Sequence, residues 1–256
     1  MRFHWLPYDD SFESQVESWF DEETRRLTGC DDGWAEFYSY WIHEEGVCPG
    51  KNFWTILALE QKTPKAVFVI AETNGLFTFS ECVVEPRSRG KGIGKEALTE
   101  LLENAQTILG MAISEALAVI FPDNPASQSI FRYAGFRYAA THPDGDALYF
   151  IYAVPMPCCC GHDCARCITR LASRLDMDVL RRQSVLFYKE FFKHTIGTGD
   201  IHCRGGRSDD VFRECRTCPF TACCRRKGID SCAQCSTPCE PYLEYKRKFV
   251  NRCHQI

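Results

Sequence analysis

No stretch of this 256-residue chain approaches the roughly 20 consecutive apolar residues that a bilayer-crossing helix requires, so no membrane partner is expected. The opening residues, MRFHWLPYDDSFES, lack the apolar core of roughly 7–15 residues found in secretory signals, and a cytoplasmic location is the expectation. A Walker A phosphate loop is absent as well. At 45% apolar and 25% charged residues the composition is that of a globular protein, which excludes intrinsic disorder and collagen-like repeats. What the chain has in excess is cysteine: 17 in all, 14 of them between Cys158 and Cys253.

Charge divides the chain at the same place. Residues 1–157 carry 12 Lys+Arg against 23 Asp+Glu, whereas residues 158–256 carry 18 against 11. The change falls at Val154-Pro155-Met156-Pro157, where two prolines remove amide donors and favour an extended segment. Two domains are therefore expected, 1–155 and 156–256.

The first 50 residues read as helical, with Glu13, Val16, Trp19 and Phe20 on one face and Trp34, Phe37, Tyr38 and Trp41 on another. From Phe53 the period shortens to that of strands. Phe53–Glu60, Lys65–Glu72 and Leu76–Val84 are separated by Thr63-Pro64 and by the hairpin signal Asn74-Gly75. A long helix through Ala97, Leu98, Leu101, Leu102, Ala105, Ile108 and Leu109 should stop at Gly110. Leu117–Phe121 reads as a buried strand, Ala126–Tyr133 as a short helix, and Phe136–Thr141 and Ala147–Val154 as two final strands.

The third strand runs through Val84-Glu85-Pro86-Arg87-Ser88-Arg89-Gly90-Lys91-Gly92-Ile93-Gly94-Lys95 straight into the long helix. A glycine-rich turn opening a helix presents outward amides and a partial positive charge, which together cradle a pyrophosphate. Gly90, Gly92 and Gly94 would let the phosphate approach, and Arg89, Lys91 and Lys95 would add charge. A dinucleotide loop needs Gly-x-Gly-x-x-Gly and an acidic residue about 20 positions on; here the spacing is Gly-x-Gly-x-Gly and helix fills that stretch.

Arg89-Gly90-Lys91-Gly92-Ile93-Gly94 resembles the acetyl-CoA motif of the GNAT superfamily of N-acetyltransferases. Asn124-Pro125-Ala126-Ser127 with Phe131, Gly135 and Phe136 resembles that family's second signature, 30 residues on. The resemblance covers residues 5–155. It implies a GNAT-type α/β (α+β) fold, a mixed, mostly antiparallel sheet flanked by helices, and transfer of an acetyl group from acetyl-CoA to a small-molecule or peptide amine. It further implies that Cys82, Val83 and Val84 bind the pantetheine arm on a splayed strand and that the amides of Arg89, Gly90, Lys91, Gly92, Ile93, Gly94 and Lys95 hold the pyrophosphate. Asn124, Ser127 and Phe131 would lie near the cofactor. The family's thiolate-protonating tyrosine maps to Phe131, which has no proton to give; Tyr133, two positions along, would be a poor substitute. Water can serve, since a free thiol titrates near about 8.5.

Attack on a thioester needs a neutral amine and hence a base. Glu81 is the candidate, with Thr78 and Glu85 as alternatives; alternation puts Glu81 opposite Cys82 unless the strand bulges, as it does in the family. Residues 1–60 hold 13 Asp+Glu against 4 Lys+Arg among many aromatics, which would favour a cationic acceptor if they form a wall rather than an ordinary core and solvated face.

In the second half, Cys160-x3-Cys164-x2-Cys167, Cys203, Cys215-x2-Cys218-x4-Cys223 and Cys232-x2-Cys235-x3-Cys239 have metal-ligand spacing. In the cytosol stable disulfides are rare, so metal is favoured: zinc first, an iron–sulfur cluster as the alternative, with free or redox-active thiols remaining. A helix pair is expected between the clusters, the second helix capped by Asp178 and ended near Gly197. Cys160-Gly161-His162-Asp163-Cys164-Ala165-Arg166-Cys167, Lys227-Gly228-Ile229-Asp230-Ser231-Cys232-Ala233-Gln234-Cys235 and Pro238-Cys239-Glu240 resemble a bacterial and archaeal family of uncharacterised cysteine-rich domains, DUF3795. That family's usual cysteine three residues after Cys203 is Gly206 here, so one ligand would come from elsewhere: Cys158, Cys159, Cys224 or His162. The basic runs Arg225-Arg226-Lys227 and Lys246-Arg247-Lys248 allow docking of RNA or protein, but they also neutralise thiolates and no aromatics are interleaved. Nucleic acid is not favoured. A non-catalytic acyl-CoA-binding redox or metal sensor is the rival reading.

Overall fold

Sheet formation follows from two-residue turns in which both residues hold positive φ, the geometry that matches the twist of antiparallel strands. Gln61-Lys62 and Asn74-Gly75 are such turns. The computed structural model describes residues 1–42 and 50–250, so the part of the helical expectation on residues 43–49 lies outside them. The chain divides into two units, Met1–Tyr152 and Ala153–Ile256.

The first unit is a seven-stranded sheet of order β1-β2-β3-β4-β5-β7-β6. Its strands are β1 (His4–Pro7), β2 (Lys51–Glu60), β3 (Thr63–Thr73), β4 (Leu76–Val84), β5 (Glu115–Ile120), β6 (Arg137–Thr141) and β7 (Leu148–Ala153). Strands β1 to β4 pair antiparallel, as do β6 and β7, whereas β4 and β5 run parallel. Pro64, expected in a turn, instead sits inside β3 opposite Leu59 at a register shift, a place where a missing amide is tolerated. The helical expectation fails at β1. Four residues, His4 to Pro7, are too few to show a period, and pairing with β2 makes them a strand.

Helices α1 (Glu13–Glu17) and α3 (Trp34–Tyr40) cover one face, and α4 (Ile93–Glu103), α5 (Ala105–Ile108) and α6 (Pro125–Tyr133) the other, with α2 (Glu22–Thr28) between α1 and α3 in the chain. β3 is buried on both faces: Ala66, Phe68 and Ile70 pack with α4 and α6, Val67 and Val69 with α1 and α3. That is why its sequence is an unbroken apolar run. The expected single helix to Leu109 is interrupted at Asn104, and Gly110 follows with φ of 77°.

Between α1, α3 and the sheet, Trp19, Phe20, Trp34 and Trp41 are buried with Tyr8, and Asp9, Asp10, Glu22, Glu23, Asp31 and Asp32 are exposed. Trp19, Phe20 and Trp34 therefore form core, since burying an indole or phenyl ring removes much apolar surface from water, whereas Tyr8, Tyr38 and Trp41, with Trp5, line a cavity of about 610 Å³.

The second unit comprises α7 (Ile168–Arg174), α8 (Asp178–Phe187), α9 (Arg213–Arg216), α10 (Pro219–Lys227) and α11 (Glu240–Tyr245). The expected helix pair is α7 and α8, joined by buried Leu171 and Leu180 and by a 2.7 Å hydrogen bond between Thr169 Oγ1 and Ser184 Oγ. Met177, not Asp178, is the N-cap of α8, and the chain leaves helical geometry at Lys193, before Gly197. A small second cluster packs Cys159, Cys224 and Cys232 against Phe220 and Tyr242.

Candidate active site

β4 and β5 pair only from Phe77 to Phe79, opposite Ala116 to Ala118. Beyond that point the two strands part, and Cys82, Val83 and Val84 line a cavity of about 500 Å³ on the opened edge. Gly90, Gly92, Gly94 and Lys95 from the loop line it too, with Thr24 and Leu27 from α2 and Asn124 and Ser127 from the start of α6. A second, smaller cavity of about 130 Å³, lined by Glu81, Phe121 and Phe131, shares Leu27, Thr28, Cys82, Asn124 and Ser127 with the first.

The N-terminus of α4 is the polar end of the large cavity. Gly92 is its cap, has φ of 81° and offers no side-chain acceptor. The Glu96 amide makes the first helical bond, to the Gly92 carbonyl at 3.1 Å, so the amides of Ile93, Gly94 and Lys95 precede the ladder. An uncapped first turn of this kind leaves amides and a partial positive charge that suit an anion.

The structure separates roles that the loop sequence runs together. Gly90 and Gly92 hold positive φ. Gly94 has an ordinary helical backbone, but a Cβ there would lie 2.6 Å from Ile130 Cδ1 and 3.1 Å from Val84 Cγ2. Its bareness brings α4 against α6 and β4. Arg89 is also reassigned. Its guanidinium donates to Asp21 Oδ2 at 3.0 Å, Thr24 Oγ1 at 2.8 Å, and the carbonyls of Trp19 (3.0 Å) and Val84 (3.1 Å). The side chain ties the loop to the start of α2 and its charge is spent there, whereas Lys91 is exposed.

A bulge at Ser80 sets the other end of the site. Val69 pairs with Glu81 and Ile70 with Phe79, leaving Ser80 as the extra residue. Phe77 and Phe79 face α4 and α6, but Val83 joins the opposite core, and Glu81 meets Cys30 just past the end of α2. The Cys30 thiol donates to Glu81 Oε1 at 3.6 Å. Burial pushes the Glu81 carboxyl up to about 8, with the Cys30 hydrogen bond opposing. Glu85 is a different case: held by Lys65 Nζ at 3.4 Å and by the Ser88 hydroxyl, it is lowered on balance although burial acts against that.

Asn124 caps α6 through its Oδ1, which accepts from the Ser127 amide at 3.0 Å, and its Nδ2 donates to the Leu27 carbonyl at 3.3 Å. Both ends of the amide are engaged in joining α6 to α2. Phe131 is wedged between Phe79 and Phe136. Tyr133 is 62% exposed, lies outside both cavities, and has Lys95 Nζ 5.5 Å from its ring centre, so the structure does not bring it to Glu81. Cys30 is the residue that sequence reasoning missed, since a lone cysteine just past a helix carries no motif.

Residues 7–137 match the model of the acetyltransferase (GNAT) domain family. The chain is a GNAT acetyltransferase. An uncharacterised N-acetyltransferase of Bacillus subtilis (strain 168), YfmK, is 31% identical over 132 residues, which is 51% of this chain and 82% of the relative. An N-acetyltransferase 9-like protein of Caenorhabditis elegans is 25% identical over 148 residues, 50% of this chain and 70% of the relative. Among solved structures, an acetyltransferase of Thermus thermophilus is 16% identical, covering 60% of this chain and 98% of its own, with a TM-score of 0.46. Residues 156–244 of this GNAT protein match a second family, DUF3795, described as proteins of unknown function.

In the DUF3795 unit, six of the expected cysteines line one cavity of about 630 Å³: Cys160, Cys164, Cys167, Cys203, Cys215 and Cys218. Cys158 and His162 join them. Cys223, Cys232, Cys235 and Cys239 are not part of that cavity. Cys232 lies in the small core, in contact with the Cys224 sulfur at 3.6 Å, and Cys235 accepts from Lys227 Nζ at 3.2 Å. Among the described residues, no three His, Cys, Asp or Glu side chains are placed to hold a single ion as they stand.

Proposed function

We propose that the N-terminal unit moves an acetyl group from acetyl-CoA to a primary amine by direct attack. The observation that carries this reading is the parting of β4 from β5 beside the uncapped α4 N-terminus, with a buried carboxyl at the far end. The amides of Ile93 to Lys95 would take the pyrophosphate, and the free edge of Cys82 to Val84 the pantetheine arm. Glu81 would accept the proton of the incoming ammonium group. The neutral amine then forms the C–N bond as the C–S bond breaks, and the proton that its nitrogen sheds passes through water to the departing thiolate, since Phe131 carries none to give. Exposed acids on α1 and α2, with Glu23 on the cavity wall, favour an acceptor that arrives as a cation. In the cysteine-rich unit the soft thiol donors suit a metal, zinc or iron–sulfur, in a structural or regulatory role, because the transfer itself needs none.

Calorimetric titration of acetyl-CoA into the full chain should give micromolar binding at one site. Gly94→Leu, which drives a side chain into Ile130 and Val84, should weaken binding at least tenfold and leave metal content unchanged. Absence of binding by the wild-type chain would overturn the reading. Phe131 in the tyrosine position favours a second reading, an acyl-CoA-binding sensor without turnover. Amine-stimulated release of free CoA separates the two, because only the enzyme produces it.

A further inference from the structure

Cys30 is a buried thiol that the transfer just described leaves unused. It follows the end of α2, where Gly29 takes φ of 73° and turns the chain out of the helix. The Cys30 amide donates to Thr28 Oγ1 at 3.4 Å, and its carbonyl accepts from the Gly33 amide at 3.0 Å. Its side chain belongs to the core that holds Val69 and Val83. Backbone and packing together fix where the sulfur stands.

The two oxygens of the Glu81 carboxyl are used differently. Oε1 accepts from the Cys30 thiol at 3.6 Å. Oε2 has no hydrogen-bond partner among the described residues, and the side chain, 7% exposed, lines the small cavity. Glu81 is the only charged group on that lining: β5 contributes Ala118 to Ile120, and α6 contributes Ser127 and Phe131. On β3 it is Val69 that sits opposite. Cys82, next along β4, is a thiol that burial and the Glu81 charge push up to about 12. Burial first, then the charges of Glu81 and Asp31, push the Cys30 thiol up to about 12 as well. Cys30 therefore keeps a proton to donate throughout the range in which Glu81 titrates. A hydrogen bond donated to the carboxyl favours its charged form and works against the effect of burial.

We propose that Cys30 is a positioning residue for the transfer, its thiol anchoring Oε1 of Glu81 so that Oε2 faces the cavity and takes the proton of the incoming ammonium group. The N–H bonding pair stays on nitrogen and becomes the lone pair that attacks the thioester. The inference rests on Glu81 acting as the base.

The test titrates the Glu81 carboxyl in the full chain through the infrared C=O band of the protonated acid, assigned by its disappearance in Glu81→Gln. Cys30→Ala should raise the midpoint by about 0.5–1 pH unit, the effect of losing one weak hydrogen bond to a carboxylate. Cys30→Ser, nearly isosteric and a stronger donor, should hold the midpoint at or below that of the wild type. A merely structural cysteine would lower the thermal midpoint of Cys30→Ala and leave the infrared titration unmoved. The rising limb of kcat/KM, with spermidine as the acceptor probe, should follow the infrared midpoint in each protein. Below that limb Cys30→Ala should lose about three- to tenfold. An infrared midpoint unchanged in Cys30→Ala, or raised as far in Cys30→Ser, overturns the role of Cys30. A midpoint that moves as expected while the limb stays in place overturns Glu81 as the base. Failure of this inference and failure of the reading beneath it are thus told apart.

Discussion

Glu81→Gln is expected to lower kcat about 10²- to 10⁴-fold, the range that a positioned general base supplies. Affinity for acetyl-CoA should change little, since Glu81 lies in the smaller cavity and away from the α4 N-terminus. The pH dependence makes the test specific. Burial holds the carboxyl neutral up to about 8, and only the carboxylate can accept a proton, so kcat/KM of the wild type should climb as pH rises through 8. The Gln variant should lack that limb. Stability should move in the opposite direction. The folded state keeps the proton up to about 8, whereas the unfolded carboxyl releases it near the ordinary value of 4.5. Between those values rising pH favours the unfolded chain, and thermal midpoints of the N-terminal unit should fall across that window. Glu81→Gln should flatten the fall. Identical pH–rate profiles for the two proteins would remove Glu81 from the mechanism.

Trp34→Ala should cost the N-terminal unit about 3–5 kcal/mol, the range for deleting a buried large aromatic ring. Trp34 is fully buried, and its ring stacks on Tyr38 at 5.4 Å and meets Tyr8 at 5.2 Å and Phe20 at 5.6 Å. Its indole N–H donates to the Tyr8 hydroxyl at 2.8 Å. Truncation opens a cavity and leaves that hydroxyl without its donor, and the two losses add. Trp34→Phe restores most of the packing and should cost about 1–3 kcal/mol, chiefly for the hydroxyl. The check is thermal unfolding of the full chain followed by near-ultraviolet circular dichroism. A midpoint shift below about 2 °C for Trp34→Ala would mean that the aromatic cluster does not hold α1 and α3 to the sheet.

Strand β4 was legible to the residue, because Leu76–Val84 follows an Asn-Gly turn and its neighbours share one period. The glycine loop and the helix start behind it were legible because closely spaced glycines end a strand and positive φ at Gly90 and Gly92 favours glycine. Side-chain direction was not. Nothing in Arg-Gly-Lys-Gly-Ile-Gly says that Arg89 turns back to Asp21 and Thr24, or that Gly94 is bare for Ile130; both depend on partners distant in sequence. The aromatics of residues 1–41 carry no label that separates core from pocket wall, and Tyr8 and Trp41 are both at once. The cysteines behaved likewise. Spacing marked ten candidates, but the gathering of six of them with Cys158 around one cavity arises from the folding of α7 and the Gly205-Gly206 turn.

Ser80 is one residue more than the partner strand can pair, and that odd count reverses every side chain after it. Were β4 to run without the bulge and keep all nine residues, Glu81 and Val83 would share the face of Phe77 and Phe79, and the carboxyl would meet the rings of Phe131 and Phe136. Cys82 and Val84, which now pack on that face, would turn away from it. Parity of residue count, more than the identity of any one side chain, decides whether this strand shows an acid or a thiol to each side. Loss of Ser80 itself leaves the parity of Glu81 to Val84 as it is and removes only the added twist. A residue gained between Glu81 and Val84, with the bulge kept, inverts whatever follows it.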